Sequence, residues 1–395
     1  MRVLLLSLTP RERALGLLVA RCLGQAPKTE LHFLSRDPEW VVRFSRHVSS
    51  FQILRAEEGD DEATVSGIYR NIERTGAQVV LPTGIPSTSF LSANRDILSE
   101  FVAVAPSPRP NDFDMVADKW LLTKYLAERE LCYPPTVLCT DDEEFDKGIH
   151  GLSFPVLLKP RQDRRLGAGI KRFETTKQLQ DYLDGEPKPH DQYVVQRFIR
   201  GHDVGCNMLC HRGRVLAHTI HRPLTLAPQP FAPAGVIEYV DDEQVFDLCT
   251  KLVRALVWSG PANIDLGYDE ESGQPNVFEF NPRYWGSLLG GLSAGINFPY
   301  LHCLAGLGVE FAQPSYRRQP FANTRVRRTL SLYLAQNRHR GRFTLAQTRL
   351  RFHLADPLPA TIEFASRNWR AMRRLRRLGG DWKGTRPRTP YGTVG

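Results

Sequence analysis

The sequence lacks any long hydrophobic run. Although 42% of its 395 residues are hydrophobic, no stretch approaches the ~20 apolar positions that a membrane-spanning helix needs, which argues against an integral membrane protein. The apolar start, Val3 to Leu8, is only a few residues long and meets Thr9-Pro10-Arg11-Glu12-Arg13. It reads as a first β-strand rather than the core of a secretion signal. Cysteine is scarce: the seven residues Cys22, Cys132, Cys139, Cys206, Cys210, Cys249 and Cys303 are odd in number and scattered, mostly in apolar runs. That pattern argues against a disulfide framework and fits a reducing, cytoplasmic compartment. Cys206 and Cys210 stand four apart with His211 beside them, but no second ligand pair has matching spacing, so they read as buried thiols rather than zinc ligands. One signature is also missing. No G-x-G-x-x-G follows the first strand, where Thr9-Pro10-Arg11 stands instead, which argues against a dinucleotide site there.

What is present is strongly ordered along the chain. Residues 1 to about 100 alternate strand and helix signals: Val3–Leu8, Ala14–Leu23, Leu31–Leu34, a stretch around Ile68–Ile72, then Val79–Pro82. Such alternation predicts βαβ units on a parallel sheet, a Rossmann-like lobe. The link Pro106-Ser107-Pro108-Arg109-Pro110 closes that lobe. A helix is expected from Asp114 to Glu130, then antiparallel strands to about residue 245, then helix, strand, turn and strand to Asn281. The expected domains are 1–108, 109–312 with a smaller lid at about 135–198, and a basic extension over 313–395.

Charge is uneven. The chain carries +9 overall, yet from Gln313 onward 18 Arg and one Lys face only Asp356, Glu363 and Asp381, a net +16, while the preceding 312 residues carry −7. The basicity therefore belongs to the tail.

Three clusters carry chemistry. The strand Phe154–Pro160 ends in Lys159-Pro160, where a lysine suits a phosphate as a compact positive charge. It is followed by Leu166-Gly167-Ala168-Gly169-Ile170-Lys171, a turn that either brings backbone N–H groups to a phosphate or simply closes a hairpin. The second cluster, Tyr193 to Gly205, is an apolar strand running into Gly201-His202-Asp203; Asp203 either accepts from ribose hydroxyls or belongs to an ordinary turn. The third is Asn263-Ile264-Asp265-Leu266-Gly267, a polar turn, and Val277-Phe278-Glu279-Phe280-Asn281-Pro282-Arg283. Pairing of these strands sets Asp265 opposite Glu279 and Asn281, which share one face, with Phe278 and Phe280 on the other. Three oxygen ligands there suit Mg²⁺; an ordinary amphipathic strand is the plainer reading.

The ordered set Asp118-Lys119, Lys159-Pro160, the glycine turn, Gly201-His202-Asp203, Asp265 and Glu279-Phe280-Asn281-Pro282-Arg283 resembles the ATP-grasp superfamily, which includes D-alanine:D-alanine ligase, biotin carboxylase and carbamoyl phosphate synthetase. The resemblance covers roughly residues 1–310. It implies an α/β plus α+β architecture: a Rossmann-like parallel lobe, a two-subdomain ATP-grasp fold and a basic, partly helical tail. It implies Mg²⁺ (or Mn²⁺) and ATP as cofactors, with Lys119 and Lys159 on phosphates, Gly167, Ala168 and Gly169 in a closing loop, and Gln196, Arg197, Phe198 and Ile199 presenting backbone to adenine. It further implies Asp203 on ribose, Asp265, Glu279 and Asn281 as metal ligands, and Arg283 facing the transferred phosphoryl group. The activity implied is an ADP-forming ligase that activates a carboxylate as an acyl phosphate and joins it to an amine. Departures exist: many relatives carry Glu where Arg197 stands, and Asn263 replaces an arginine of D-alanine ligases.

For substrate recognition, His221 and Arg222 are candidates beside Arg283, as small-molecule carboxylate and amine partners require; Arg222 has the fork to hold a carboxylate. The tail, helical over Ile362 to Leu378 and dense in arginine, reads as a solvated face, as a peripheral contact with an anionic membrane through residues 361–378, or as a nucleic-acid contact, for which no module is visible. A contrasting function is an ATP-binding adaptor without chemistry, recruited to an anionic surface by that tail.

Overall fold

A computed structural model describes residues 1–38, 40–140, 143–162, 169–185, 192–225, 231, 234–324 and 344–365. Gly167, Ala168, Arg164, Arg165 and the arginine-rich stretch from residue 366 lie outside the described residues.

The first lobe is built on five parallel strands, β1 (Arg2–Ser7), β2 (Glu30–Ser35), β3 (Ser50–Ile53), β4 (Val79–Pro82) and β5 (Ala103–Val104), in the order β3-β2-β1-β4-β5. A strand covered on both faces reads as a continuous apolar run, and β1 shows why. Val3 and Leu5 enter one core with the helix Arg13–Leu23, while Leu4 and Leu6 enter another with the helix Asp61–Thr75. This is the expected Rossmann-like sheet. Where a dinucleotide fold keeps glycines, Glu12 is buried, and its carboxylate accepts from the backbone N–H of Leu8 (2.6 Å), Thr9 (3.1 Å) and Ser87 (3.0 Å). An anion of the protein itself thus fills the N-terminus of the helix Ile85–Ala93, the place a phosphate would take.

The predicted helix 114–130 is two helices, Pro110–Ala117 and Lys119–Glu128. Asp118 breaks them: its backbone is extended, its carboxylate accepts from Trp120 N (2.9 Å) and Leu121 N (3.1 Å), and it caps the second helix. Helical periodicity could not reveal this break, because Asp118 is drawn aside by Arg161, 2.7 Å away across the fold.

A four-stranded antiparallel sheet follows, formed by β6 (Thr136–Leu138), β7 (Val156–Pro160), β8 (Lys171–Phe173) and β9 (Tyr193–Arg197) in the order β6-β9-β7-β8. The helices Glu143–His150 and Thr176–Asp184 pack on one face through Ile149, Leu179 and Leu183. The largest sheet has the order β14-β13-β10-β11-β12-β15, with β10 (Gly201–His211), β11 (Arg214–Thr225), β12 (Val236–Val240), β13 (Gly260–Asp269), β14 (Gln274–Asn281) and β15 (Pro320–Ala322). On one face, Val204, Cys206, Met208 and Cys210 pack against the helix Glu243–Ala255, so these cysteines are core thiols whose pKa burial raises. On the other, Leu209, Ala217 and Tyr239 join the core of the first lobe.

Part of the expected basic extension is integral to the fold. β15 extends the large sheet through β12, and the helix Arg349–Ala355 puts Phe352 into the first lobe's core. Arg21 and Asp356, each about 1% exposed, pair at 3.1 Å, and Asp356 also accepts from Ser45 Oγ and Arg46 N. Only residues 362–365 of the expected helix 362–378 are among those described, and they are helical. No helix of the described residues is long and apolar enough to cross a membrane.

Candidate active site

The four-stranded sheet and the large sheet face each other across a cleft, and charged side chains from both meet there. Lys159, at the end of β7, is 5% exposed and donates from Nζ to Gln196 Oε1 on β9 at 2.7 Å. Gln196 is itself held by Thr136 Oγ1, 2.9 Å away. Burial pulls the Lys159 ammonium down to about 8, Lys119 adds to that fall, and Glu279, Asp203 and Asp265 oppose it. A cation kept where water is scarce calls for an anion.

Lys119 is the first residue of its helix because Asp118 is the cap. Its backbone N–H donates to Arg161 O at 2.9 Å, and its Nζ lies 3.2 Å from Glu279 Oε1. Asp118, Arg161 and Glu279 therefore tie that helix to both sheets. Lysines 40 residues apart in sequence thereby act on one cluster of carboxylates.

Asp265 on β13 pairs in register with Glu279 on β14, and Asn263 pairs with Asn281. A bulge opposite the Asp265–Leu266 step gives β14 one extra residue, Phe278. The expected alternation fails at that point. Phe280 is in the core, whereas Phe278 is half-buried and offers its ring to Lys159 Nζ, 4.7 Å from the centroid. Nothing in the sequence marks the bulge, so strand alternation predicts the wrong face for Phe278.

Burial and then the Glu279 charge push the Asp265 carboxyl up, opposed mainly by Arg283 and by a hydrogen bond from Asn263. Asp203, on β10 beside Gly267 of β13, is likewise raised by burial and lowered by Lys159. Two neighbouring carboxylates in a partly dry cleft, with the Glu279 charge opposing that of Asp265, form a fitting seat for a divalent cation. The Asn281 amide points differently: Nδ2 donates to Asp265 Oδ2 at 3.2 Å, and Oδ1 accepts from Arg283 Nη2 at 3.1 Å. To serve as a third oxygen ligand, Asn281 has to turn its amide and release Arg283. Arg283 also donates to Tyr284 O at 3.0 Å.

The remaining predicted residues separate into two groups. Gly169 has a left-handed φ of +99° and lies near Pro160. Phe198 underlies the Arg172 guanidinium at 4.5 Å, and Ile199 packs over Gly267. Arg197 turns away from Lys159 to pair with Asp269 and, at 3.7 Å, Glu271. His221 stands on the cleft face of β11 in the register row His221–Gly205–Asp265–Glu279. Arg222, the next residue, takes the opposite face and pairs with Glu238 at 3.0 Å, so the structure does not bring it to the cluster.

Comparison with known proteins agrees with this architecture. A family model described as "ATP-grasp in the biosynthetic pathway with Ter operon" matches residues 190–329. The chain is similar in structure to an L-amino acid ligase from Bacillus licheniformis, with 21% identity and a TM-score of 0.56 over 78% of this chain and 74% of that one. It is also similar to N5-carboxyaminoimidazole synthetase from Staphylococcus aureus complexed with ADP (14%, TM-score 0.61, 81% and 80% covered). A third similar structure is the biotin carboxylase domain of Hydrogenobacter thermophilus 2-oxoglutarate carboxylase with MgADP and bicarbonate (15%, TM-score 0.58, 80% and 72% covered). The parallel first lobe, the four-stranded sheet and the large antiparallel sheet with its acidic pair give this chain the ATP-grasp fold.

Proposed function

We propose that the chain is an ADP-forming ligase that uses Mg-ATP to convert a carboxylate into an acyl phosphate, which an amine then opens to form a C–N bond. The observation that carries this reading is the meeting of Lys119, Lys159, Asp265, Glu279 and Arg283 in one cleft between two sheets. A fold-only likeness does not require those side chains to converge. The ADP and MgADP bound in two of the similar structures support the choice of nucleotide and metal.

In this scheme the two lysines bind and orient the phosphates, and burial strengthens their pull. Asp265 and Glu279 would hold Mg²⁺, joined by Asn281 once its amide turns; the bound ion cancels charge on the phosphate oxygens. Arg283, freed from Asn281 by that turn, can follow the transferred phosphoryl group. Asp203 is available to ribose hydroxyls, and Phe278 offers an apolar face close to Lys159. Acyl phosphates hydrolyse readily, so a cleft able to exclude water serves the second step.

The test is ADP and phosphate release from Mg-ATP with a mixed pool of L-amino acids, read together with mass spectrometry for the condensed product. Turnover should appear with the wild-type chain and vanish in Glu279→Ala and Lys159→Ala. Undiminished turnover in both variants would sink the assignment. A contact of the tail with anionic membranes is a separate proposal. It is supported by Leu354, Leu358 and Phe364, which are 64%, 56% and 69% exposed at the start of the arginine-rich stretch. Sedimentation with anionic liposomes, lost on removing residues 361–395, is its expected outcome; equal sedimentation of both forms would refute it.

A further inference from the structure

The polar residues beside the acidic pair form a chain of hydrogen bonds with a fixed direction. Both amides that reach Asp265 present nitrogen to it: Asn281 Nδ2 donates to Oδ2 at 3.2 Å and Asn263 Nδ2 to Oδ1 at 3.3 Å. Asn263 Nδ2 also donates to Asn207 Oδ1 at 3.2 Å. Asn207 therefore turns its own Nδ2 toward His221 Nδ1, 3.3 Å away. An N–H aimed at Nδ1 makes that nitrogen the acceptor, which leaves the proton of the neutral ring on Nε2. The orientation of two amides thus sets the tautomer of the histidine.

The ring is also fixed in place. A Cβ on Gly205 would stand 2.3 Å from His221 Cε1 and 2.7 Å from Nε2, so only glycine there lets the outer edge of the imidazole lie across β10 toward the row of Asp265 and Glu279. Tyr239 flanks the ring at 6.0 Å between centroids. Burial pulls the imidazole down to about 4, which keeps it uncharged at neutral pH. His221 is only half-buried, and among the described residues its one hydrogen-bond partner is Asn207. The Nε2–H is left for something that enters the cleft. In a site with two lysines, Arg283 and a divalent ion, an imidazolium would be repelled, whereas a neutral N–H adds a hydrogen bond without adding charge.

We propose that His221 is a fixed, neutral Nε2–H donor that binds an oxygen of the carboxylate substrate, oriented from Asp265 through Asn263 and Asn207. This rests on the ligase reading above. No proton is transferred; the residue binds and orients.

Two measurements on the full chain test it. The first is nitrogen NMR of protein labelled at its 11 histidines, with the His221 signals identified by their loss in His221→Gln. The wild type should show the neutral Nε2–H tautomer throughout pH 6 to 8, and the Nε2 signal should move when a mixed L-amino acid pool is added with Mg-ATP. Asn207→Asp, which puts an acceptor-only group against Nδ1, should move the proton to Nδ1 or charge the ring. An Nδ1–H tautomer in the wild type, or an Nε2 signal indifferent to the pool, overturns the proposal. The second is ATP turnover against the same pool. His221→Leu should raise the pool concentration needed for half-maximal turnover about tenfold, the loss of one hydrogen bond to a charged group, with the ATP requirement unchanged. His221→Gln, which restores an N–H, should recover most of that loss. Unaltered pool dependence in His221→Leu overturns the proposal with the ligase intact. Absence of any turnover by the wild type refutes the ligase reading instead, and the NMR response to the pool still decides whether His221 binds.

Discussion

Replacing Lys159 with methionine separates the stability of the cleft from its function. Methionine nearly matches the length of lysine but has no charge, and the site is 5% exposed. The fall of the Lys159 pKa from 10.5 to about 8 corresponds to roughly 3 kcal/mol, at ~1.4 kcal/mol per pKa unit, by which the folded chain disfavours the ammonium. Against that gain, the substitution strips Gln196 Oε1 of its donor, and a desolvated acceptor left unpaired costs about 1–2 kcal/mol. Without ligand, the variant should therefore be more stable than the wild type by about 1–2 kcal/mol at pH 7, a rise in Tm of about 2–4 °C. Turnover of ATP should fall by about 10² or more, because a charge aimed at the phosphates is gone. The pH dependence has a definite sign. Between about 8 and 10.5 the unfolded chain keeps the lysine proton while the folded chain has lost it, so wild-type stability rises with pH through that window. The advantage of the variant should accordingly shrink from pH 7 to pH 9.5. Thermal melts at both pH values, with and without Mg-ATP, measure all of this. A variant that is less stable at pH 7, or whose difference from the wild type does not shrink, refutes the reasoning.

Other perturbations act at separate places. Wild-type kcat/KM for ATP should decline above pH 8 as the Lys159 ammonium of the free enzyme is lost; a flat profile from pH 6.5 to 9 contradicts it. Arg21→Met should destabilise the protein by about 3–5 kcal/mol, since it strands Asp356 as a buried charge, and Arg21→Met with Asp356→Leu should regain part of the loss in denaturant titrations. Glu12→Ala leaves three backbone N–H groups, two of them buried, without their acceptor and should cost about 3 kcal/mol or more, with melting of the first lobe as the readout. Glu279→Ala should remove the Tm rise that Mg-ATP gives the wild type, a rise worth about 2.7 kcal/mol at a hundredfold excess over Kd; a preserved rise would remove Glu279 from the metal site.

Several features were legible in the linear chain because they depend on neighbours. The apolar run of β1 announces a strand covered on both faces, and the turn at 269–273 between two alternating segments announces the hairpin that sets Asp265 opposite Glu279. The order of lysines, glycines and carboxylates carried the resemblance to the ATP-grasp fold. Tertiary structure decided the rest, because it depends on groups distant in sequence. Asp118 breaks a helix because Arg161 lies across the fold from it. Gln196 contributes a side chain rather than only backbone because β9 lies beside β7. The bulge in β14 turns Phe278 toward Lys159 against the alternation its sequence suggests. A run of the basic segment joins the core because β12 offers an edge and Arg21 offers a buried partner. Even the two histidine-neighbourhood candidates, adjacent in sequence, part company: strand periodicity sends His221 into the cleft and Arg222 to Glu238, once the pairing of β10 and β11 has fixed which face looks inward.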